Sequence, residues 1–163
     1  MISIRDAKIN DAPAIVELWK EFMRQHHVNL VKANPKVEPH VSKKKNASIG
    51  FGKFLRKNIR SKNSAVHIAE SNGKPIGYSL IYIKDNIPGF KLEKLGYISD
   101  IFVKKEFRGK GISSKLKDKA IQWFRKNGIK HISLEVDKDN KLAHSIYKKW
   151  GFFDFHIQLR RRV

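Results

Sequence analysis

The segment Ile101-Phe102-Val103-Lys104-Lys105-Glu106-Phe107-Arg108-Gly109-Lys110-Gly111-Ile112-Ser113-Ser114-Lys115-Leu116 constrains this chain more than any other. An apolar run gives way to a turn of glycine and base. Helical spacing then begins at once with Ile112, Leu116, Ala120, Trp123 and Phe124. A strand that feeds a helix through such a turn exposes backbone N–H groups where the helix dipole favours negative charge. That arrangement suits a pyrophosphate. Gly109 and Gly111 allow positive φ and close approach of backbone to ligand, while Arg108, Lys110 and Lys115 add full charges. Two common phosphate loops are excluded by spacing: G-x-x-x-x-G-K-[ST] is absent, and G-x-G-x-x-G would need glycine at Ser114.

Around this turn the chain reads as alternating elements. Ile2–Arg5 is a first strand. Asn10 or Asp11 caps a helix with Pro13 in its first turn, and Ile15, Leu18, Trp19, Phe22 and Met23 share one face until the pattern fades near His26-His27. Residues 28–47 are expected to form a loop, and Ile49, Phe54, Leu55 and Ile59 a short second helix. Ala65–Glu70 and Ile76–Ile83 are strands joined by Ser71-Asn72-Gly73-Lys74. After a loop over Asp85–Gly96 comes a strand over Tyr97–Val103. A helix to Asn127-Gly128, a strand over His131–Val136, a helix from Asp139 or Asn140 to Trp150 and a last strand over Phe152–Leu159 complete the order. The expected fold is α/β, a mixed, mostly antiparallel central sheet with helices on both faces, in one domain spanning residues 1–163.

The turn resembles the R/Q-x-x-G-x-G/A signature of the GCN5-related N-acetyltransferases. Arg108 and Gly111 fill its first two fixed positions, and Ser113 stands where Gly or Ala is usual. Downstream, Asn140-x-x-Ala143-x-x-x-Tyr147-x-x-x-Gly151-Phe152 is similar to the family's N-x-x-A-x-x-x-Y-x-x-x-G-F ending. The likeness is strong from Tyr97 to Phe155 and rests only on element order in the first 60 residues. It implies acetyl-CoA as cosubstrate, with the pyrophosphate held by Arg108, Gly109, Lys110, Gly111, Ile112, Ser113 and Ser114. It also implies that Ile101, Phe102 and Val103 pair with the pantetheine amides, and that an N–H of Phe102 or Val103 receives the acyl oxygen. Asn140, Ala143 and Tyr147 lie along one helical face; the resemblance puts pantetheine against it, with Asn140 hydrogen-bonded, Ala143 leaving room and Tyr147 protonating the thiolate as general acid. Asp100, on the strand beside the acyl site, is the first candidate for general base, with Glu135 and Asp137 as alternatives.

Composition narrows the remaining classes. The chain has no cysteine, which excludes disulfides, thiolate catalysis and cysteine-based metal sites. The histidines show no metal-ligand spacing, and the reaction implied needs no metal. No apolar run reaches the ~20 residues of a membrane span, no signal peptide is visible, and a cytoplasmic protein is expected. The net charge of +20 favours anionic partners. It leaves open a nucleic-acid-binding protein, whose candidate surface is the basic stretch Lys43–Lys62, although no nucleic-acid module is recognisable. A CoA-binding sensor without chemistry is a further alternative. Among amine acceptors, a protein or peptide is slightly favoured, since a basic surface suits acidic macromolecules better than small cations. A sheet that stops soon after Gly151-Phe152 makes a homodimer plausible.

Overall fold

A computed structural model describes all residues, 1–163. The sheet runs β1 (Ile2–Asp6), β2 (Ser64–Ser71), β3 (Lys74–Asp85), β4 (Lys94–Val103) and β5 (Ile132–Ser133), neighbours in that order. The first three pairings are antiparallel and β4–β5 is parallel. Asn72 and Gly73, at φ 50° and 76°, close the β2–β3 hairpin with a two-residue loop whose twist matches the strands.

Helices cover both faces. On one, α1 (Ala12–Ala33) and α3 (Ala47–Arg60) bury Ala12, Ile15, Leu18 and Leu55 against Val66, Ile68, Tyr78, Leu80 and Phe102. On the other, α4 (Ile112–Lys126) sets Ile112 and Leu116 on Ala69, Ile76 and Val103, and Ala120 and Phe124 on Ile81 and Ile98. Gly96 is needed where Phe124 meets β4, because a Cβ there would lie 2.6 Å from the ring. α4 ends as Asn127-Gly128 predicts. Gly128 takes φ 75°, the Ile129 N–H reaches the Phe124 carbonyl, and the two side chains share a core.

Four expectations are corrected. First, α1 continues past His26-His27 to Ala33, because Leu30, four residues after His26 and eight after Phe22, keeps the apolar face and is buried. Second, the 28–47 stretch is accordingly not one loop. It holds the end of α1, a 3₁₀ turn over Pro35–Val37 and the short helix α2 (Glu38–Val41). Third, the strand expected over His131–Val136 shrinks to two paired residues, since β4 bends away beyond them. Last, Phe152–Leu159 forms no strand. Phe153, Phe155, Ile157 and Leu159 alternate as a strand would, yet stand 77–88% exposed. Alternation permits a strand but does not make one; the two-residue β5 offers too little ladder to recruit it.

Candidate active site

The bend in β4 creates the site. Leu80 pairs with Asp100 but Ile81 with Ile98, so Ser99 is an extra residue in β4. Such a bulge turns a strand and re-aims its side chains. β4 and β5 pair only at Gly96–Ile132 and Tyr97–Ser133, then part. A gap opens between them along Ile98–Val103. The Lys104 N–H donates to the Ile76 carbonyl at 2.9 Å, which sets the alternation of the antiparallel ladder. Phe102 therefore bonds toward β3, while the N–H and C=O of Ile101 and Val103 face the gap. Of the three residues predicted to meet pantetheine, Ile101 and Val103 thus present backbone to it. Phe102 instead presents a buried ring to the core, stacked on Phe22 with centroids 5.3 Å apart.

At the end of the gap the turn takes the shape the two glycines allow. Gly109 and Gly111 have φ 76° and 72°, and a Cβ on either would meet nothing within 4 Å. Gly111 caps α4 without a side-chain acceptor, and no acidic residue occupies the first turn. The first intrahelical bond is Lys115 N–H to the Gly111 carbonyl, so the N–H groups of Ile112, Ser113 and Ser114 are left pointing outward. The open space and uncapped donors fit a pyrophosphate. Arg108 is engaged elsewhere. Its Nε donates to the Val103 carbonyl at 2.8 Å, its Nη2 donates to Gln25 Oε1 at 2.6 Å, and its guanidinium lies 5.7 Å from the Phe102 ring centre. Arg108 ties the turn to β4 and α1, and the Lys110 ammonium lies 5.2 Å from the Phe107 ring centre.

The second sequence signature proves half structural. α5 (Lys141–Lys149) is bounded at both ends by signature residues. Asn140 caps it, its Oδ1 accepting from the Ala143 N–H at 3.2 Å. Gly151, at φ 90°, closes it: Gly151 N–H donates to the Lys148 carbonyl and Phe152 N–H to the Tyr147 carbonyl. The Phe152 ring meets Tyr147 edge-on at 6.2 Å, and Trp150 flanks it at 5.6 Å. Tyr147 is thereby held by the turn that follows it. Its phenol is pushed up, first by burial and then by the negative charge of Asp100, so it is protonated at neutral pH.

Asp100 sits on the α1/α3 face of β4. Burial pushes its carboxyl up to about 6, against hydrogen bonds from Tyr78 and Ser99 that favour the charged form. Tyr78, itself fully buried, donates its hydroxyl to Asp100 Oδ2 at 3.0 Å. Asp100 and Tyr147, far apart in sequence, are thus brought within each other's field. The alternatives are placed differently: Glu135 is exposed, and Asp137 is paired with His26 Nε2 at 3.0 Å. Tyr78, Gln25 and the bulge at Ser99 were not foreseen from sequence. Only strand register reveals them, and no spacing rule encodes it. No group of three His, Asp or Glu side chains could hold a metal ion, and no helix is long and apolar enough to cross a membrane.

Comparison with known proteins points the same way. The profile of the Acetyltransferase (GNAT) family matches residues 15–152. The chain is 28% identical over 154 residues to the uncharacterized N-acetyltransferase YhfO of Bacillus subtilis, covering 93% of this chain and 89% of that one. It is 28% identical over 158 residues to the thialysine N-epsilon-acetyltransferase of Bos taurus, covering 94% and 85%. In fold it is similar to a predicted acetyltransferase of Clostridium acetobutylicum solved with acetyl-CoA: TM-score 0.77, 23% identity, covering 99% of this chain and 96% of that one.

Proposed function

Because the chain belongs to the GNAT acetyltransferase family, an acetyl-CoA-dependent N-acetyltransferase family, we propose that it acetylates a primary amine by direct attack on the thioester. The observation that carries this reading is the gap between β4 and β5, which ends at the uncapped N-terminus of α4, with Asp100 on β4 beside it; the buried Tyr147 phenol feels the Asp100 charge. Acetyl-CoA would lie along it, its pyrophosphate on the N–H groups of Ile112–Ser114 and its amides on Ile101 and Val103. Asn140 keeps its amide nitrogen for pantetheine while its oxygen caps α5, and Ala143 leaves space on the same face.

The amine nitrogen attacks the carbonyl carbon, and the oxygen takes negative charge. A gap-facing N–H of β4 stabilises it; Ile101 or Val103 supplies this donor, not Phe102. The C–S bond then breaks, the amide forms, Asp100 takes the proton the ammonium gives up, directly or through water, and Tyr147 gives one to the departing thiolate. Tyr78 holds the Asp100 carboxylate in place.

Titration calorimetry with acetyl-CoA, and ADP as electrostatic control, tests the cosubstrate. Micromolar one-to-one binding of acetyl-CoA with much weaker ADP supports the reading; equal binding reduces the turn to a basic patch. Tyr147→Phe is expected to lower kcat for CoA release with acetyl-CoA affinity retained. Unchanged kcat removes Tyr147 from the chemistry.

A further inference from the structure

On the α1/α3 face, Tyr82 and Tyr97 are direct cross-strand neighbours beside Asp100. Their rings stand 5.2 Å apart at 47°, and Phe54 meets Tyr82 edge-on at 6.4 Å. Both tyrosines are only half-buried. Burial raises both phenols, Tyr97 to about 12, and the negative charges of Asp100 and Glu135 raise them further; Glu135 lies two residues beyond Ser133, the β5 partner of Tyr97. A cation already rests there: Lys84 Nζ lies over the Tyr97 ring, 4.1 Å from its centre. In a chain of net charge +20, this is a local site for positive charge.

We propose that Tyr82, Tyr97 and Glu135 form an acceptor subsite for a second cationic group, so that the preferred acceptor is a diamine-like molecule. The inference rests on the acetyl-transfer reading above, because Asp100 is taken to mark the reacting amine. Aromatic faces with a nearby carboxylate attract ammonium more strongly as water is excluded. Tyr82 and Leu80, the partner of Asp100, are two residues apart on β3, so the subsite lies about 7 Å along the strand from the base. That spacing matches a diamine of roughly four to six carbons bridging the two points. Lys84 occupies the Tyr97 face in the absence of acceptor and is displaced by its distal ammonium. The local charge thereby reverses the expectation, drawn from net charge alone, that small cations are disfavoured.

The test compares diaminobutane and diaminohexane with butylamine and hexylamine as acceptors, reading CoA release. The diamines are expected to show kcat/KM roughly tenfold higher or more. Tyr97→Leu and Glu135→Gln should each narrow that ratio through KM, and Lys84→Met should widen it by removing the internal competitor. Transfer to monoamines and diamines at equal kcat/KM overturns the subsite while leaving acetyl transfer intact. If no amine is acetylated, the acetyl-transfer reading falls, and calorimetric titration of diaminohexane into the wild type and Tyr97→Leu decides the subsite alone. Binding lost in the variant supports it, and equal or absent binding overturns it.

Discussion

Replacing Asp100 by Asn should make the protein more stable and less active, with the stability gain appearing only as pH rises. Burial holds the native carboxyl at about 6 against its ordinary 3.8. The native state therefore keeps a proton that the unfolded chain has released, and stability falls as pH climbs from about 4 to 6. A rise of about two pH units at 1.36 kcal/mol each gives about 3 kcal/mol lost by neutral pH, an upper bound because the side chain retains some solvent access. Asn preserves the acceptor for the Tyr78 hydroxyl and never ionises, so it escapes the loss.

The assay is urea unfolding of both proteins from pH 4 to 8. With a slope of about 2 kcal/mol per M, the midpoints should coincide near pH 4 and separate by up to about 1.5 M above pH 6.5. His67 works in the opposite sense over a similar range. Burial holds its ring near 4, with no hydrogen bond at Nε2 and Asp6 Oδ1 3.8 Å away, so stability falls as pH drops from 6.5 toward 4. Both proteins share that contribution, so it cancels in the difference; in the wild type it flattens the profile. In parallel, wild-type kcat/KM should rise through an acid limb near pH 6. Asp100→Asn should lose the limb and roughly 100-fold or more in rate. A pH-independent stability difference would refute the desolvated carboxylate, and an unchanged acid limb would refute its role as base.

Other consequences are simpler. Gly96→Ala should cost about 1–3 kcal/mol, since the new Cβ overlaps the Phe124 ring and the Ile132 side chain; a thermal midpoint within a degree of wild type would show that α4 can shift freely. Asn140→Ala removes the cap on Ala143 and should cost about 1 kcal/mol while raising the KM for acetyl-CoA. Asn140→Asp, which retains the cap, separates the two effects, and if its KM equals that of wild type the amide nitrogen is not used. Phe155→Ser with Ile157→Ser should leave stability within about 0.5 kcal/mol, because both side chains are largely exposed. A larger loss that depends on protein concentration would show that the tail is buried between copies.

What the sequence revealed, and what it hid, follows from the range of the interactions involved. The glycine turn, the α4 core positions and the Asn140–Gly151 signature are local. The turn and the caps are made by backbone partners within about one helical turn, and the α4 core positions show in the helical period even though the strands they pack on lie far away in sequence. The bulge at Ser99 is different: it exists only as a mismatch between β3 and β4, and neither strand shows it by itself. From that mismatch follows the bend of β4, while the unbroken register beyond it sets the outward backbone of Ile101 and Val103, the inward ring of Phe102 and the Tyr78–Asp100 hydrogen bond. Arg108 makes the same point from the other side. Its charge suggests a direct contact with phosphate, yet two of its five N–H donors are held by Val103 and by Gln25, 83 positions earlier in the chain. The turn is thus anchored by the residue that looked most like a ligand contact, and the anion is left to backbone N–H groups whose geometry the glycines permit. Arg108→Lys, which keeps the charge but cannot make the forked contact, should therefore weaken acetyl-CoA binding nearly as much as Arg108→Gln. If Lys restores wild-type affinity, charge and not anchoring is what the turn requires.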